Sequence, residues 1–171
     1  IGRDATLRQG LARERFGTLS AQALAGDLQD WAEQAEGWLA LILLLDQLPR
    51  MIHRATPQAF SGDARAQQLV RWGLAQGLER QLPAICQVFV YLVLEHAEDL
   101  AIQSLAVERF RALREQVPIA ERDLFGGYLD YAVRHQQVIA RFGRFPHRNA
   151  ILGRVSTPDE LVFLQQPGSR F

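Results

Sequence analysis

Polar side chains that can transfer protons or form ion pairs follow two strongly apolar stretches of the chain. They are Asp46, Gln47 and Arg50 after residues 38–45, and Glu95, His96 and Glu98 after residues 84–94. A carboxylate at the carboxyl end of a helix opposes the helix dipole, so it needs a compensating cation or hydrogen-bond donor. Each stretch therefore predicts partners supplied from elsewhere in the chain.

A later segment has the composition to supply those partners. Residues 131–158 contain no aspartate or glutamate, yet they hold five arginines and two histidines. Arg144, His147, Arg148 and Asn149 flank a break at Gly143 and a restart at Pro146. Such a turn can present several side chains together, so we expect them to meet the carboxylates in one cleft.

The sequence leaves three interpretations of this cleft open. The first is a binding module that takes a peptide or a small anionic ligand. The second is a hydrolase-type enzyme that uses His96 or His147 with Asp46 or Glu95 as acid–base groups. The third is an internal ion-pair network with no ligand. The candidate ligand-binding residues are Asp46, Gln47, Arg50, Glu95, His96, Glu98, Arg144, His147, Arg148 and Asn149.

Other chemistries lack support in the sequence. All 19 cationic residues are arginine, which excludes a phosphate-loop lysine or a Schiff-base lysine. His96, His135 and His147 show no metal-ligand spacing, so we predict neither a metal nor a cofactor. With 19 acidic residues the net charge is zero, which argues against nucleic acid as a partner.

The location and extent of the protein are also expectations. The only cysteine, Cys86, fits a reducing compartment, so we expect a cytoplasmic protein. No apolar run is long enough to span a membrane. The chain begins at Ile1 rather than methionine, and we expect further residues before it in the full protein. The sequence does not indicate an oligomeric state.

Helical periodicity runs through the whole chain, and strand alternation and hairpin turns are missing. We predict a single all-α domain over residues 1–171, made of about eight helices in antiparallel hairpins. The expected helices cover residues 4–16, 20–25, 35–48, 63–80, 83–94, 99–117, 120–142 and a short one after residue 157. We expect helix stops at Gly17 and Pro49, and N-terminal caps at Thr157 and at Ser61 or Asp63.

Two glycines within the fourth predicted helix share one face with apolar residues. Gly73 and Gly77 are four residues apart, and a glycine lowers helix propensity unless close packing requires it. We therefore expect both glycines to face another helix at close range.

Three motifs in order resemble a bacterial family of uncharacterised proteins, catalogued as a domain of unknown function and grouped with tetratricopeptide-like (TPR-like) folds. They are LILLLDQLPR at residues 41–50, YLVLEHAED at residues 91–99 and RFGRFPHRN at residues 141–149. The resemblance covers about residues 15–163 and implies a TPR-like helical array without implying an activity. Met51 stands where the family commonly has asparagine. The family's polar motif residues match the candidate residues above.

Overall fold

The computed structural model describes the backbone of residues 2–170 and the side chains of residues 6–170. Within residues 2–170 there are eight α-helices and no strand, which confirms the all-α prediction. The helices are α1 (Gly2–Ala25), α2 (Ala35–Ile42), α3 (Leu48–Ile52), α4 (Asp63–Gln76), α5 (Ala84–Glu95), α6 (Leu100–Gln116), α7 (Arg122–Phe142) and α8 (Pro158–Phe163). The TPR-like arrangement stays a prediction.

The helices divide between two compact units. The first unit, Ile1–His96, contains α1 to α5, and the second, Ala97–Phe171, contains α6 to α8. In the first unit α1 packs against α3, while α2 packs against both α4 and α5. In the second unit α6 and α7 pack along each other. No helix within residues 2–170 combines the length and the apolar composition needed to cross a membrane.

The amino-terminal helix is longer than predicted. The expected stop at Gly17 is wrong, because α1 continues through this residue and ends at Ala25. Gly17 has ordinary helical geometry, whereas Gly26, just after the helix, has a φ of 98°. A left-handed φ is what allows a glycine to end a helix, so the end predicted after residue 25 is confirmed and only the stop at Gly17 fails.

The expected break at Pro49 is also wrong. The chain passes from α2 through a π-helical segment, Leu43–Gln47, directly into α3, which ends at Ile52. Pro49 lies in the first turn of α3, where a missing N–H is tolerated. The π-helical segment thus accommodates the proline, and the chain stays helical from α2 to α3.

The fourth helix begins and ends differently from the prediction. Neither Ser61 nor Asp63 caps it, because Gly62 occupies the cap position and no side chain bonds there. The helix ends at Gln76, since Gly77 adopts a left-handed φ of 72°. Gly77 therefore terminates α4 instead of facing another helix, and the atoms nearest to a Cβ at this position would belong to Arg80.

The close approach predicted for Gly73 is present. A Cβ atom on Gly73 would overlap the indole ring of Trp38, a side chain with no solvent exposure. The Trp38 indole N–H donates to the carbonyl of Leu69 at 2.9 Å, which fixes the ring against α4. Because the ring cannot move away without losing this bond, α2 and α4 need a glycine here.

Caps in the second unit agree with the sequence. The Asp99 side chain accepts from the Ile102 N–H at 3.0 Å at the start of α6. Thr157 and Glu160 form a reciprocal capping box at the start of α8. Gly143, with a φ of 68°, ends α7. The ends at Gly143 and Thr157 were predicted, because they depend on residues close in sequence; the side-chain cap from Asp99 was not predicted.

We predict that Gly73→Ala lowers the free energy of unfolding by about 1–3 kcal/mol, because the added methyl group overpacks against Trp38. Thermal or urea denaturation measures the change. The matched control is Gly127→Ala, since Gly127 lies inside α7 with open space around it. The control should be neutral or stabilising because alanine has the higher helix propensity. Equal stability of the Gly73→Ala variant and the wild type would contradict the close packing.

Candidate functional site

The π-helical segment Leu43–Gln47 is the element that positions the predicted site in the first unit. Its backbone hydrogen bonding is shifted by one residue, as the Leu48 N–H donates to the Leu43 carbonyl five residues earlier. Pro49 follows and has no N–H to donate. With the same five-residue spacing, the donor to the next carbonyl, that of Leu44, would be residue 49. Because that residue is a proline, the Leu44 carbonyl receives no backbone hydrogen bond from it.

Two residues from other elements accommodate the irregular backbone. The Ser20 hydroxyl, buried in α1, donates to the Leu44 carbonyl at 3.0 Å. Gly62 packs directly on the Leu45 carbonyl, where any Cβ atom would overlap the oxygen. Short π-helical segments occur frequently at functional sites, because they redirect a side chain relative to a regular helix.

The redirected side chain is the carboxylate of Asp46, which has no solvent exposure. Its oxygens accept hydrogen bonds from His96 Nδ1 at 2.7 Å and from Gln47 Nε2 at 2.6 Å. The Arg50 guanidinium forms an ion pair with it at 3.0 Å. Burial alone would raise the pKa of Asp46, but His96, Arg50 and Gln47 together hold that pKa below its ordinary value. The side chain is therefore an ionised acceptor.

Arg50 connects Asp46 to the start of α4. Its guanidinium donates to both carboxylate oxygens of Asp63, at 2.8 and 3.0 Å. It also donates to the backbone carbonyl of Asp46 at 2.9 Å. The Asp63 carboxylate, which the sequence suggested as a helix cap, is used here as a planar partner for the arginine fork. We call the five residues Asp46, Gln47, Arg50, Asp63 and His96 the polar centre.

His96 uses one ring nitrogen, Nδ1, to bond Asp46, and its other nitrogen, Nε2, can bond a ligand. It follows the last residue of α5, and an ionised Asp46 can only accept, so Nδ1 carries the hydrogen of their bond. Among the described residues Nε2 has no hydrogen-bond or ion-pair partner, and the side chain is 16% exposed. The imidazole therefore offers Nε2 as its single free proton-transfer atom.

Glu95, the neighbour of His96, is buried in the last turn of α5. It was predicted as an alternative acid–base partner. The contacts to the histidine are made by Asp46 instead, which lies fifty residues earlier in the chain.

The second unit assembles a separate group around Glu98. This carboxylate accepts from Arg154 at 2.6 and 2.9 Å and from the Phe145 backbone N–H at 2.7 Å. Partial burial would raise the pKa of Glu98, but these donors lower it below its ordinary value. Arg154 also donates to the Phe145 carbonyl at 3.1 Å. Glu98 and Arg154 thereby hold the backbone at Phe145, within the acid-free arginine region.

A second carboxylate, that of Glu160, accepts hydrogen bonds from two further predicted residues, Arg144 and Asn149. Arg144 donates to its two oxygens at 2.7 and 2.8 Å, and Asn149 Nδ2 donates at 3.2 Å. The hydrogen bonds from Arg144 are the largest cause that lowers the pKa of Glu160 to about 2. The same contact raises the pKa of Arg144 above its ordinary value.

Arg148 and His147 both lie beside the ring of Phe145. The buried Arg148 guanidinium carbon stands 4.5 Å from the ring centroid, a cation–π geometry. The half-buried His147 ring is 5.6 Å from the same centroid. Both residues lie on the short 3-10 turn Pro146–Arg148, which follows the Gly143 break as expected.

The structure thus brings the ten predicted residues into defined places within each unit. Asp46, Gln47, Arg50 and His96 meet in the first unit, and Glu98, Arg144, Arg148 and Asn149 surround Phe145 and Glu160 in the second. That all ten form one cleft stays a prediction. Sequence reasoning missed Ser20, Asp63 and Glu160 as partners; only the charges of Asp63 and Glu160 hinted at a role. Within residues 6–170, no three His, Cys, Asp or Glu side chains are grouped to hold a metal ion.

An apolar cleft of about 800 Å³ also opens within the first unit. It lies between the end of α1, the 3-10 turn Gln29–Glu33, α2 and α4. Leu45 and Arg65 line it, and these residues are close neighbours of Asp46 and Asp63 in the polar centre. The cleft and the polar centre therefore use the same two segments of chain. No sequence motif marked the cleft.

Comparison with known proteins places the chain in a family. The family model described as "Bacterial protein of unknown function (DUF924)" matches residues 4–168. The chain belongs to this family. The chain is also similar to a solved structure, titled a protein of unknown function, ATU0120, from Agrobacterium tumefaciens, with 35% sequence identity and a TM-score of 0.81. The match covers 94% of this chain and 85% of that one. No curated protein matches the chain.

We predict that Ser20→Ala in this DUF924 protein lowers the free energy of unfolding by about 1–3 kcal/mol, because it leaves the buried Leu44 carbonyl without its donor. Chemical denaturation measures the loss. Ser61→Ala is the matched control, since Ser61 makes the same kind of hydroxyl-to-carbonyl bond, to Gln58 at 2.8 Å, at an exposed position. Equal effects of the two substitutions would argue against a special role for the π-helical segment.

A second prediction concerns acid stability. Because the pKa of Glu160 is about 2 in the folded chain and about 4.3 when unfolded, its ionised form stabilises the fold above pH 4.3. That contribution is lost as the pH falls from about 4.3 towards 2. Glu160→Gln should lower the free energy of unfolding at pH 7 by about 1.5–3 kcal/mol. The difference from wild type should shrink as the pH is lowered.

Denaturation curves between pH 7 and pH 2.5 test this linkage. The control is Asp159→Asn, which changes the same charge at the adjacent exposed position. A Glu160→Gln difference that stays constant across this pH range would show that the carboxylate does not titrate at a lowered pKa.

Proposed function

We propose that this DUF924 protein is a hydrolase-type enzyme in which His96 is the acid–base residue and Asp46 positions it. The observation that carries the proposal is the 2.7 Å contact between the ionised, fully buried Asp46 and His96 Nδ1. This contact fixes the tautomer and leaves Nε2 as the nitrogen that can exchange a proton with a substrate.

Asp46 supports proton transfer in two ways. It orients the ring, and its negative charge stabilises the imidazolium that forms when Nε2 takes a proton. Arg50 and Gln47 hold the carboxylate in place, and the Arg50 guanidinium also forms an ion pair with Asp63. The arginine is thus committed to positioning Asp46.

Water is the nucleophile that suits this group. The polar centre contains no serine, threonine or cysteine, so it offers no hydroxyl or thiol nucleophile, and its two aspartates are engaged by Arg50. His96 would remove a proton from a water molecule through Nε2 as that water attacks the substrate. It would then return the proton to the leaving group.

A second candidate is a binding module without turnover. The ionised Asp46 carboxylate, 2.7 Å from Nδ1, also stabilises the imidazolium form of His96. A protonated Nε2–H donates to the acidic group of a peptide or a small anion. Arg50 is already engaged by Asp46 and Asp63, which leaves this donor as the contact that the polar centre offers to a ligand.

We predict turnover of at least one class in a panel of chromogenic carboxyl esters, phosphoesters, glycosides and peptide amides. His96→Ala should reduce kcat/KM by about 10²–10⁴-fold, because it removes the acid–base group. Asp46→Asn should also reduce it, since an asparagine amide can donate to Nδ1 and favour the wrong tautomer. His53→Ala, which changes a half-buried histidine outside the polar centre, is the control.

Thermal denaturation of each variant separates loss of activity from loss of fold. Activity that survives His96→Ala would contradict the acid–base role. Absence of turnover together with His96-dependent binding of inorganic phosphate or acetate, followed by NMR of the histidine ring, would favour the binding module instead.

A further inference from the structure

The apolar cleft of the first unit has the dimensions and walls of a small-ligand site. Its volume of about 800 Å³ falls within the range of ligand pockets in proteins. The apolar part of its wall is formed by Leu28, Leu41, Leu45, Leu69 and Trp72. Trp72 is 46% exposed, although tryptophan is among the residues whose burial is most favourable.

The cleft walls are held in place before any ligand arrives. The Trp38 indole bonds to the carbonyl of the lining residue Leu69. The Arg50–Asp63 pair fixes the start of α4, immediately before the lining residues Ala64 and Arg65. A pre-formed pocket loses little conformational entropy on binding, which favours affinity.

Two opposite charges line the same cleft without neutralising each other. Glu33 and Arg65 form no ion pair together, and within residues 6–170 neither has an oppositely charged partner. Arg65 has only a long hydrogen bond to the Leu24 carbonyl, at 3.4 Å. Glu33 is exposed at the end of the 3-10 turn. The cleft therefore combines an apolar wall with one anchor for a cation and one for an anion.

We propose that this cleft binds a short apolar peptide with free termini. The peptide ammonium group pairs with Glu33, and its carboxylate pairs with the planar fork of Arg65. The apolar side chains lie against the leucine residues and Trp72. A ligand without a carboxylate would leave the half-buried Arg65 guanidinium covered and without an anionic partner, and a ligand without an ammonium group would lose the contact with Glu33.

This inference goes beyond the proposed acid–base function, because none of the residues that line the cleft belongs to the polar centre. A His96 variant should therefore keep peptide binding, so failure of one proposal is distinguishable from failure of the other.

Isothermal titration calorimetry with trileucine tests the proposal. The full chain should bind trileucine with a dissociation constant below about 1 mM. N-acetyl trileucine and trileucine amide, each lacking one terminal charge, should bind about tenfold more weakly. Arg65→Gln should weaken trileucine about tenfold and leave trileucine amide unchanged. Glu33→Gln should weaken trileucine binding about tenfold and leave the binding of N-acetyl trileucine unchanged, because the acetylated peptide has no ammonium group.

The matched controls are Asp30→Asn on the same 3-10 turn and Arg71→Gln on α4. Both residues are exposed, and neither lines the cleft. They should bind trileucine as the wild type does. The comparison of free and blocked peptides on the unaltered protein tests the charge assignment without any variant.

Three results would overturn the proposal. One is the absence of trileucine binding at millimolar concentration. Another is equal binding of the free and blocked peptides. The third is tight binding of laurate that depends on Arg65 but not on Glu33, which would identify a site for singly charged amphiphiles.

Discussion

The carboxylate of Asp46 has no exposure to solvent, and the helices of the first unit are arranged so that it can remain ionised. Removing a charge from water costs several kcal/mol unless partners replace its hydration. Those partners come from three separate places: Gln47 beside it, Arg50 in α3 and His96 at the end of α5. A loss of any of them would leave a buried charge undercompensated.

The π-helical segment Leu43–Gln47 contains Asp46 and sets the direction of its side chain. It turns Asp46 towards its partners and admits Pro49, at the expense of a regular backbone. Ser20 supplies the donor that the Leu44 carbonyl needs, and Gly62 leaves room for the Leu45 carbonyl. These residues lie in α1 and just before α4, so the irregular segment depends on two other elements that pack against it.

The polar centre and the apolar cleft are built from adjacent residues of the same two chain segments. Along the chain, Leu45 lines the cleft and Asp46 enters the polar centre; Asp63 belongs to the polar centre, and Ala64 and Arg65 line the cleft. The Arg50–Asp63 pair joins these segments. One ion pair therefore fixes chain segments that belong to both sites.

The second unit uses the same principle with different geometry. Glu98 and Glu160 each accept a two-bond contact from an arginine, and each also accepts a backbone N–H. The predicted complementarity between carboxylates and the acid-free arginine segment is thus met within this unit by Arg154 and Arg144. The family comparison adds the fold of a relative and no activity, so function rests on the geometry of the sites.

The sequence by itself determined the features whose causes are local. The all-helical class follows from apolar periodicity, and Gly143 and Thr157 were recognised as helix ends because a cap involves residues within four positions. Tertiary structure decided the rest. Gly17 and Pro49 do not end helices, Gly73 but not Gly77 faces an aromatic ring, and Arg50 pairs with Asp63 as well as with Asp46. Such outcomes depend on which elements pack together and which buried groups then need partners, and neither is encoded in spacing along the chain.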